Sequence, residues 1–237
     1  MFLWLKNNLP NFLTCINLTC GVTGIFLLSS FGLESSDWIE YLILIAGLAD
    51  FFDGFAARWL KSVSGIGKDL DSLADCVSFG TLPALLLYLV MQREDLGIWS
   101  FSAALVAVFS AVRLAIFNND TRQSDQFIGM PTPANAFFLV FLSGHLIAQA
   151  DIVLPGWFFP GLALLASVWL LVPVPLLALK FKSFSFQKNW SRFLVMAMAL
   201  PILLFFGKLG IALNVLSYLA VSLIVLLFTK NAVQSQG

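Results

Sequence analysis

The chain has 237 residues, 59% of them hydrophobic and only 11% charged, with a mean hydropathy of +0.92. Soluble domains run at roughly 45–50% apolar and about 25% charged, so this composition excludes a soluble globular domain and points to a polytopic membrane protein. Thirteen Lys and Arg balance thirteen Asp and Glu. With zero formal net charge and no basic tract, no nucleic-acid partner is expected.

The opening MFLWLKNNLPN lacks the basic, apolar and small-residue regions of a cleaved signal peptide, so none is expected. Phe2, Leu3, Trp4 and Leu5 read as a short interfacial helix with Lys6 toward the headgroups, setting residues 1–10 apart from the spans. Eight spans follow, each close to the ~20 apolar residues a bilayer core demands. They cover roughly 11–32, 38–60, 70–91, 97–118, 132–150, 157–179, 190–207 and 209–229. Only Gly207, Lys208 and Gly210 punctuate the last two, which leaves a re-entrant or broken hairpin open there.

Basic residues orient such a chain. With a cytoplasmic N-terminus, the inner loops and span ends hold Lys6, Arg58, Lys61, Lys68, Arg113, Arg122, Lys180, Lys182, Lys188, Arg192 and Lys230, against Arg93 and Lys208 outside. The first outer loop, GLESSDWIE, is acidic, in agreement. The expectation is an all-α integral membrane protein: one domain over residues 1–237, about eight transmembrane helices, both termini cytoplasmic. With no signal peptide and this charge bias, a bacterial inner (plasma) membrane is the expected location.

Span 1 carries Asn11, Thr14, Asn17 and Cys20 at every third position, with Gly21 closing the run. Such a polar stripe either packs against neighbouring helices through hydrogen bonds or lines a polar cavity. The next two spans show what that cavity would hold. Asp50, Asp53, Gly54, Ala57 and Arg58 fall on one helix face, and Asp71 and Asp75 stand one turn apart on the following helix. Carboxylates at such depth are costly and normally face a functional cavity. Clustered, they repel one another unless a cation neutralises them. Oxygen ligands suit Mg²⁺ or Mn²⁺, and two such ions roughly 3.5–4 Å apart could brace both oxygens of a displacement at phosphorus. Gly54 and Ala57 leave the helix surface bare for a bulky nucleotide, Arg58 offers a planar fork to a phosphate oxygen, and Gly67 permits close approach at the end of the connecting loop. The thiols of Cys15, Cys20 and Cys76 lie in apolar segments without ligand spacing and read as membrane-core residues.

Further along, Arg113 sits inside the end of span 4, where an arginine ordinarily snorkels to the interface. The prolines Pro131 and Pro133 disfavour helix in the following connection, and Asn135 enters span 5 between Ala134 and Ala136. His145, the only histidine, lies deep in span 5, where hydrogen bonding between helices is the simpler role. The basic run Lys180, Lys182, Lys188 and Arg192, interleaved with aromatics, reads as a positive-inside loop that also suits anionic headgroups.

The aspartate stretch as a pattern is D-x2-D-G-x2-A-R-x8-G-x3-D-x3-D, and in all eight fixed positions it resembles the signature of the CDP-alcohol phosphatidyltransferase family of integral membrane enzymes. The resemblance implies a CDP-linked lipid bound by Gly54, Ala57, Arg58 and Gly67. It implies metals surrounded by Asp50, Asp53, Asp71 and Asp75, with Asp75 also acting as general base, and a homodimer. The opening of span 1 is similar to that of family members using serine as acceptor, which assigns Asn11, Thr14 and Asn17 to the CDP-lipid cavity. R-L-A-x-F-N from Arg113 and F-I-G-x-P-T-P-A-N-A from Phe127 resemble the same subgroup, with Ile116 where members carry Arg and Met130 where they carry Leu. For serine, Arg113, Asn118 and Asn135 are the candidate acceptor contacts. The reaction implied is transfer of the phosphatidyl group of CDP-diacylglycerol to L-serine at the cytoplasmic face. Glycerol 3-phosphate or inositol phosphate is the alternative acceptor. An ion or proton transporter is the reading from another class, and it would need titratable groups through the full depth of the bilayer.

Overall fold

A computed structural model describes residues 2–60, 65–119, 127–149, 151–177 and 186–234. The basic residues Lys61, Arg122, Lys180 and Lys182 lie outside these residues, as do the side chains of Lys6, Lys188 and Lys230. The described chain is helical almost throughout: α1 (Phe2–Phe31), α2 (Ser36–Leu60), α3 (Gly67–Asp75), α4 (Leu82–Arg93), α5 (Ala104–Asn119), α6 (Thr132–Ala148), α7 (Phe158–Leu171), α8 (Phe186–Phe206) and α9 (Leu209–Gln234). Among the described residues five helical stretches are long and apolar enough to cross a membrane, and the first, Asn8–Leu60, folds back on itself between α1 and α2. The others are Gly67–Arg93, Gly97–Asn119, Asn189–Phe206 and Leu209–Phe228; α6 and α7 are shorter apolar helices. This is an all-α membrane-type fold.

Sharp reversals occur where glycine supplies a positive φ. Gly32 (φ +57°) lets α1 turn back into α2, and Gly207 (φ +54°) does the same between α8 and α9, resolving that pair as two helices joined by a tight hairpin. The expected interfacial segment, residues 1–10, continues into the first span as one helix: α1 runs through Pro10. Proline removes one backbone donor but does not by itself end a helix whose neighbours hold it. Span 6, expected to reach residue 179, stops at Leu171, because Pro173 and Pro175 cannot continue the backbone ladder. In place of that last turn, β2 (Pro175–Leu176) pairs antiparallel with β1 (Phe127–Ile128), a short clasp that the hydropathy pattern did not signal.

Span 3 is not a single α-helix. Between α3 and α4 the chain makes a wide π-helical turn over Cys76–Thr81, with Thr81 Oγ1 donating to Cys76 O at 3.1 Å. Such turns carry one surplus residue and recur at functional sites. This one is packed tightly: a Cβ added to Gly21 of α1 would lie 2.4 Å from Ser78 Oγ and 2.8 Å from Ser78 Cα. In hydrocarbon surroundings small residues and interhelical hydrogen bonds decide which helices meet, since lipid tails are as apolar as leucine. One buried cluster joins Leu28, Ile39, Ile43, Phe79, Leu82 and Phe141, and a second joins Leu87, Met91, Val106, Leu139 and Phe159. The α8–α9 hairpin attaches through Met130, Leu170, Leu176 and Leu219. At its tip Lys208 lies 2.5 Å from Asp37 and 2.6 Å from the buried Glu40, both near the start of α2.

Candidate active site

The antiparallel course of α1, α2 and α3 brings the start of α1, the end of α2 and all of α3 to one end of the bundle. Helical spacing then aims the aspartates inward. Asp50, Asp53 and Asp71 each present a carboxylate oxygen within 4.8 Å of the other two. Asp53 is buried, and Thr14 Oγ1 donates to its Oδ2 at 2.6 Å while also lying 3.0 Å from Pro10 O. Asp71 Oδ1 is buried with no hydrogen-bond partner among the described residues. Three converging carboxylates, one with an oxygen unmatched by any protein donor, form an oxygen-only donor set that fits a hard divalent cation.

Asp75 stands outside that three-carboxylate grouping. It is buried, and Asn17 Nδ2 donates to its Oδ1 at 3.0 Å. Asn17 is itself fixed through its backbone, whose carbonyl accepts from Ser78 Oγ at 2.8 Å. The wide turn after Asp75 supplies that serine. Sequence periodicity missed Ser78; the small residue facing it, Gly21, was the available signal. The polar stripe of α1 thus contacts the aspartates directly at Thr14 and Asn17, while Asn11 is half-buried on the same helix.

The residues expected to face the nucleotide lie on the last turns of α2 and at the start of α3. Nothing lies within 4 Å of a Cβ built on Gly54, so the helix surface beside Asp50 and Asp53 is open. Ala57 is half-buried and Arg58 exposed at the end of α2, and Gly67 begins α3.

The three residues grouped as acceptor contacts separate. Arg113 is buried, donates from Nε to Met130 O at 3.2 Å, and lies over the Phe117 ring at 4.7 Å; its Nη2 has no partner among the described residues. The guanidinium is thereby held at the junction where α6 begins, and two further buried groups there have no partner among the described residues: Thr132 Oγ1 and Asn135 Nδ2. Thr132 was not singled out in the sequence, since a threonine at a helix start is an ordinary cap. Asn118 faces elsewhere. Its Nδ2 donates to Ser72 Oγ at 2.7 Å and its carbonyl accepts from Lys68, on the rim of a separate groove of about 320 Å³ between α3 and α5. Five helical positions turn Asn118 about 140° from Arg113, which accounts for the separation.

At the opposite end of the bundle Lys208 pairs with Asp37 and Glu40, and Arg93 with Glu94. His145 is partly buried in α6.

Comparison with known proteins covers the part of the chain that carries this geometry. The chain is 37% identical to the CDP-diacylglycerol–serine O-phosphatidyltransferase of Bacillus subtilis over 138 residues, 58% of this chain and 76% of that protein. It is 37% identical to the protein of that name in Helicobacter pylori over 133 residues, 55% of each, so the match spans about half of that relative's length. Against the Methanocaldococcus jannaschii protein of that name the identity is 36% over 152 residues, 62% of this chain and 68% of the relative. Residues 7–174, which hold α1 to α7 and every side chain of the aspartate site, match the family model, and the chain belongs to the CDP-alcohol phosphatidyltransferase family.

Proposed function

We propose that the protein transfers the phosphatidyl group of CDP-diacylglycerol to the hydroxyl of L-serine, giving phosphatidylserine and CMP. The observation that carries the reading is the convergence of Asp50, Asp53 and Asp71, with Asp75 beside them on the Asn17 amide. The names of the relatives support serine as the acceptor.

Asp50, Asp53 and Asp71 would hold the metal, with Asp75 at its edge, and Thr14 fixes the Asp53 carboxylate. Bound Mg²⁺ or Mn²⁺, as two ions, would supply charge neutralisation for the pyrophosphate and the leaving CMP. The open surface at Gly54 and Ala57 admits the nucleotide, with Gly67 lining the approach and Arg58 reaching a phosphate oxygen. Asn11 continues the polar wall. Asn17 occupies Oδ1 of Asp75, which leaves Oδ2 to take the proton of the serine hydroxyl. The serine oxygen then forms its bond to the phosphorus bearing diacylglycerol, the bond from that phosphorus to the bridging oxygen breaks, and CMP departs with the electron pair. Arg113, with an unpartnered Nη2, suits the serine carboxylate, and Asn135 and Thr132 offer further bonds. Asn118, tied to Ser72, shapes the end of α5 instead.

In this reading the chain is one catalytic domain in a bacterial inner membrane, with about eight spans, both termini and the aspartate site on the cytoplasmic face, and a second copy as its partner. Transport would need titratable groups between the two ends of the bundle, whereas the aspartates and the Glu40–Lys208 pair stand at opposite ends.

The test is direct. Purified protein in detergent, given CDP-diacylglycerol, Mg²⁺ or Mn²⁺ and labelled serine, is expected to release CMP and label phosphatidylserine. Consumption of glycerol 3-phosphate with serine left untouched would overturn the acceptor assignment. No CMP with any alcohol would overturn the reaction class.

A further inference from the structure

Beyond the aspartate site lies a groove of about 500 Å³, lined by Pro131 and Ala134 at the start of α6, Leu177, Val195 and Leu203 of α8, and Ile211, Asn214, Val215 and Tyr218 of α9. Its volume falls within the ~300–1,000 Å³ of ligand pockets. No lining residue is charged. The two polar ones are turned to backbone: Tyr218 Oη donates to Leu177 O at 3.0 Å, and Asn214 Nδ2 to Ala199 O at 3.1 Å. The walls are helix faces, because Ile211, Val215 and Tyr218 recur at i, i+4 and i+7. From Ile211 to Tyr218 the groove climbs about 10 Å along α9, a third of the ~30 Å hydrocarbon core.

Its Tyr218 end decides the occupant. Pro131 and Ala134 flank Thr132 and Asn135, and the carbonyl of the adjacent Met130 holds Arg113. Met130 itself packs with Leu219 of α9. The groove therefore begins where the acceptor contacts begin and runs away from them along apolar walls. Apart from Pro131 and Ala134, its walls come from beyond residue 174, where the family match ends.

We propose that this groove holds one fatty acyl chain of the liponucleotide substrate, so that α8 and α9 set acyl-chain preference for a reaction performed by α1 to α6. The proposal rests on the function proposed above. A lipid held at the aspartates by its pyrophosphate presents its chain to the neighbouring groove at high effective concentration, an advantage that bulk bilayer lipid lacks. Each methylene contact removed weakens binding about fourfold.

Val215→Trp and Ile211→Trp fill the groove without touching a residue of the reaction. With dioleoyl CDP-diacylglycerol, kcat/KM is expected to fall about tenfold or more, the loss of two or so methylene contacts. With the dioctanoyl substrate it should stay within about twofold, as should the KM for serine. Equal losses on both substrates, or none on either, overturn the proposal; the second result would leave the groove to bulk lipid or a protein partner. A measurement on the unmutated protein guards against variants that misfold. CDP-diacylglycerol with a diazirine partway along one acyl chain is expected to crosslink to the peptide spanning 211–218. Turnover without that crosslink sinks the groove assignment and leaves the reaction standing. A crosslink without CMP release from any alcohol sinks the reaction and keeps the groove as a lipid site.

Discussion

Asn17 of α1 donates its side-chain amide to Oδ1 of Asp75, 3.0 Å away and 58 positions later in the chain. The bond fixes the orientation of the carboxylate and, in the proposed reaction, leaves its other oxygen for the acceptor. Asp75→Asn is expected to lower turnover by about 10²–10⁴-fold, the usual contribution of a positioned base, while binding of CDP-diacylglycerol persists. Equilibrium binding alongside single-turnover CMP release separates the two, and loss of binding would make Asp75 a metal ligand first. Asn17→Ala should lower kcat while leaving the KM for serine nearly unchanged.

In the proposed metal site Thr14 stands behind Asp53, holding one carboxylate oxygen so that the other is aimed at the ion. Partners of this kind are typically worth about 10–100-fold in metal affinity or activity. Thr14→Val should weaken Mn²⁺ binding by that factor in isothermal titration calorimetry, and Asp53→Ala by more. Chelation should abolish CMP release, with recovery on adding Mg²⁺ or Mn²⁺.

Gly21 is a packing position against the wide turn. A methyl group there would meet the backbone of Ser78 as well as its hydroxyl, so the helices must part. Gly21→Ala is expected to cost about 1–3 kcal/mol, read as a lower melting temperature in detergent, and to reduce turnover by disturbing Asn17. Gly54→Ala, with nothing within 4 Å of the new Cβ, should keep the melting temperature and raise the KM for the liponucleotide.

Lys208 links the α8–α9 hairpin to the start of α2. Hydrogen bonds to Asp37 and then Glu40 hold its ammonium above the ordinary lysine range. A raised folded pKa means that this stabilisation is complete below the unfolded value and is lost only as pH climbs through the folded one. Melting temperature should therefore show no loss from this pair between pH 6 and 9 and decline only at strongly alkaline pH. Lys208→Met strands Glu40, whose side chain is 5% exposed, and should destabilise more than Glu40→Gln, because an unpaired buried charge costs more than a neutral one.

Local periodicity made much of this legible. The aspartates, Gly54, Ala57 and Arg58 follow from helical spacing, and the stripe of Asn11, Thr14 and Asn17 announced a polar face before its partners were known. What spacing cannot reveal is which distant groups meet. Thr14 with Asp53, Asn17 with Asp75 and Lys208 with Glu40 are pairings across chain reversals, set by how helices pack. The partners of the expected acceptor residues were hidden for a related reason: Arg113 and Asn118 are near in sequence but point to different sides of α5. The end of α7 was readable from Pro173 and Pro175, but hydropathy outweighed them. The π turn leaves no period of its own, because one surplus residue among apolar neighbours looks like ordinary helix.

That surplus residue has a consequence for packing. Removing any one position between Cys76 and Thr81 would let the segment relax into regular helix and preserve the hydrogen-bond ladder. The six residues of the wide turn sweep about the same arc as five of regular helix, so α3 and α4 would keep nearly the same relative angle and Asp71 and Asp75 their direction. What the deletion would remove is the widened backbone that carries Ser78 to the Asn17 carbonyl, so the wide turn acts as a spacer behind the amide that holds Asp75.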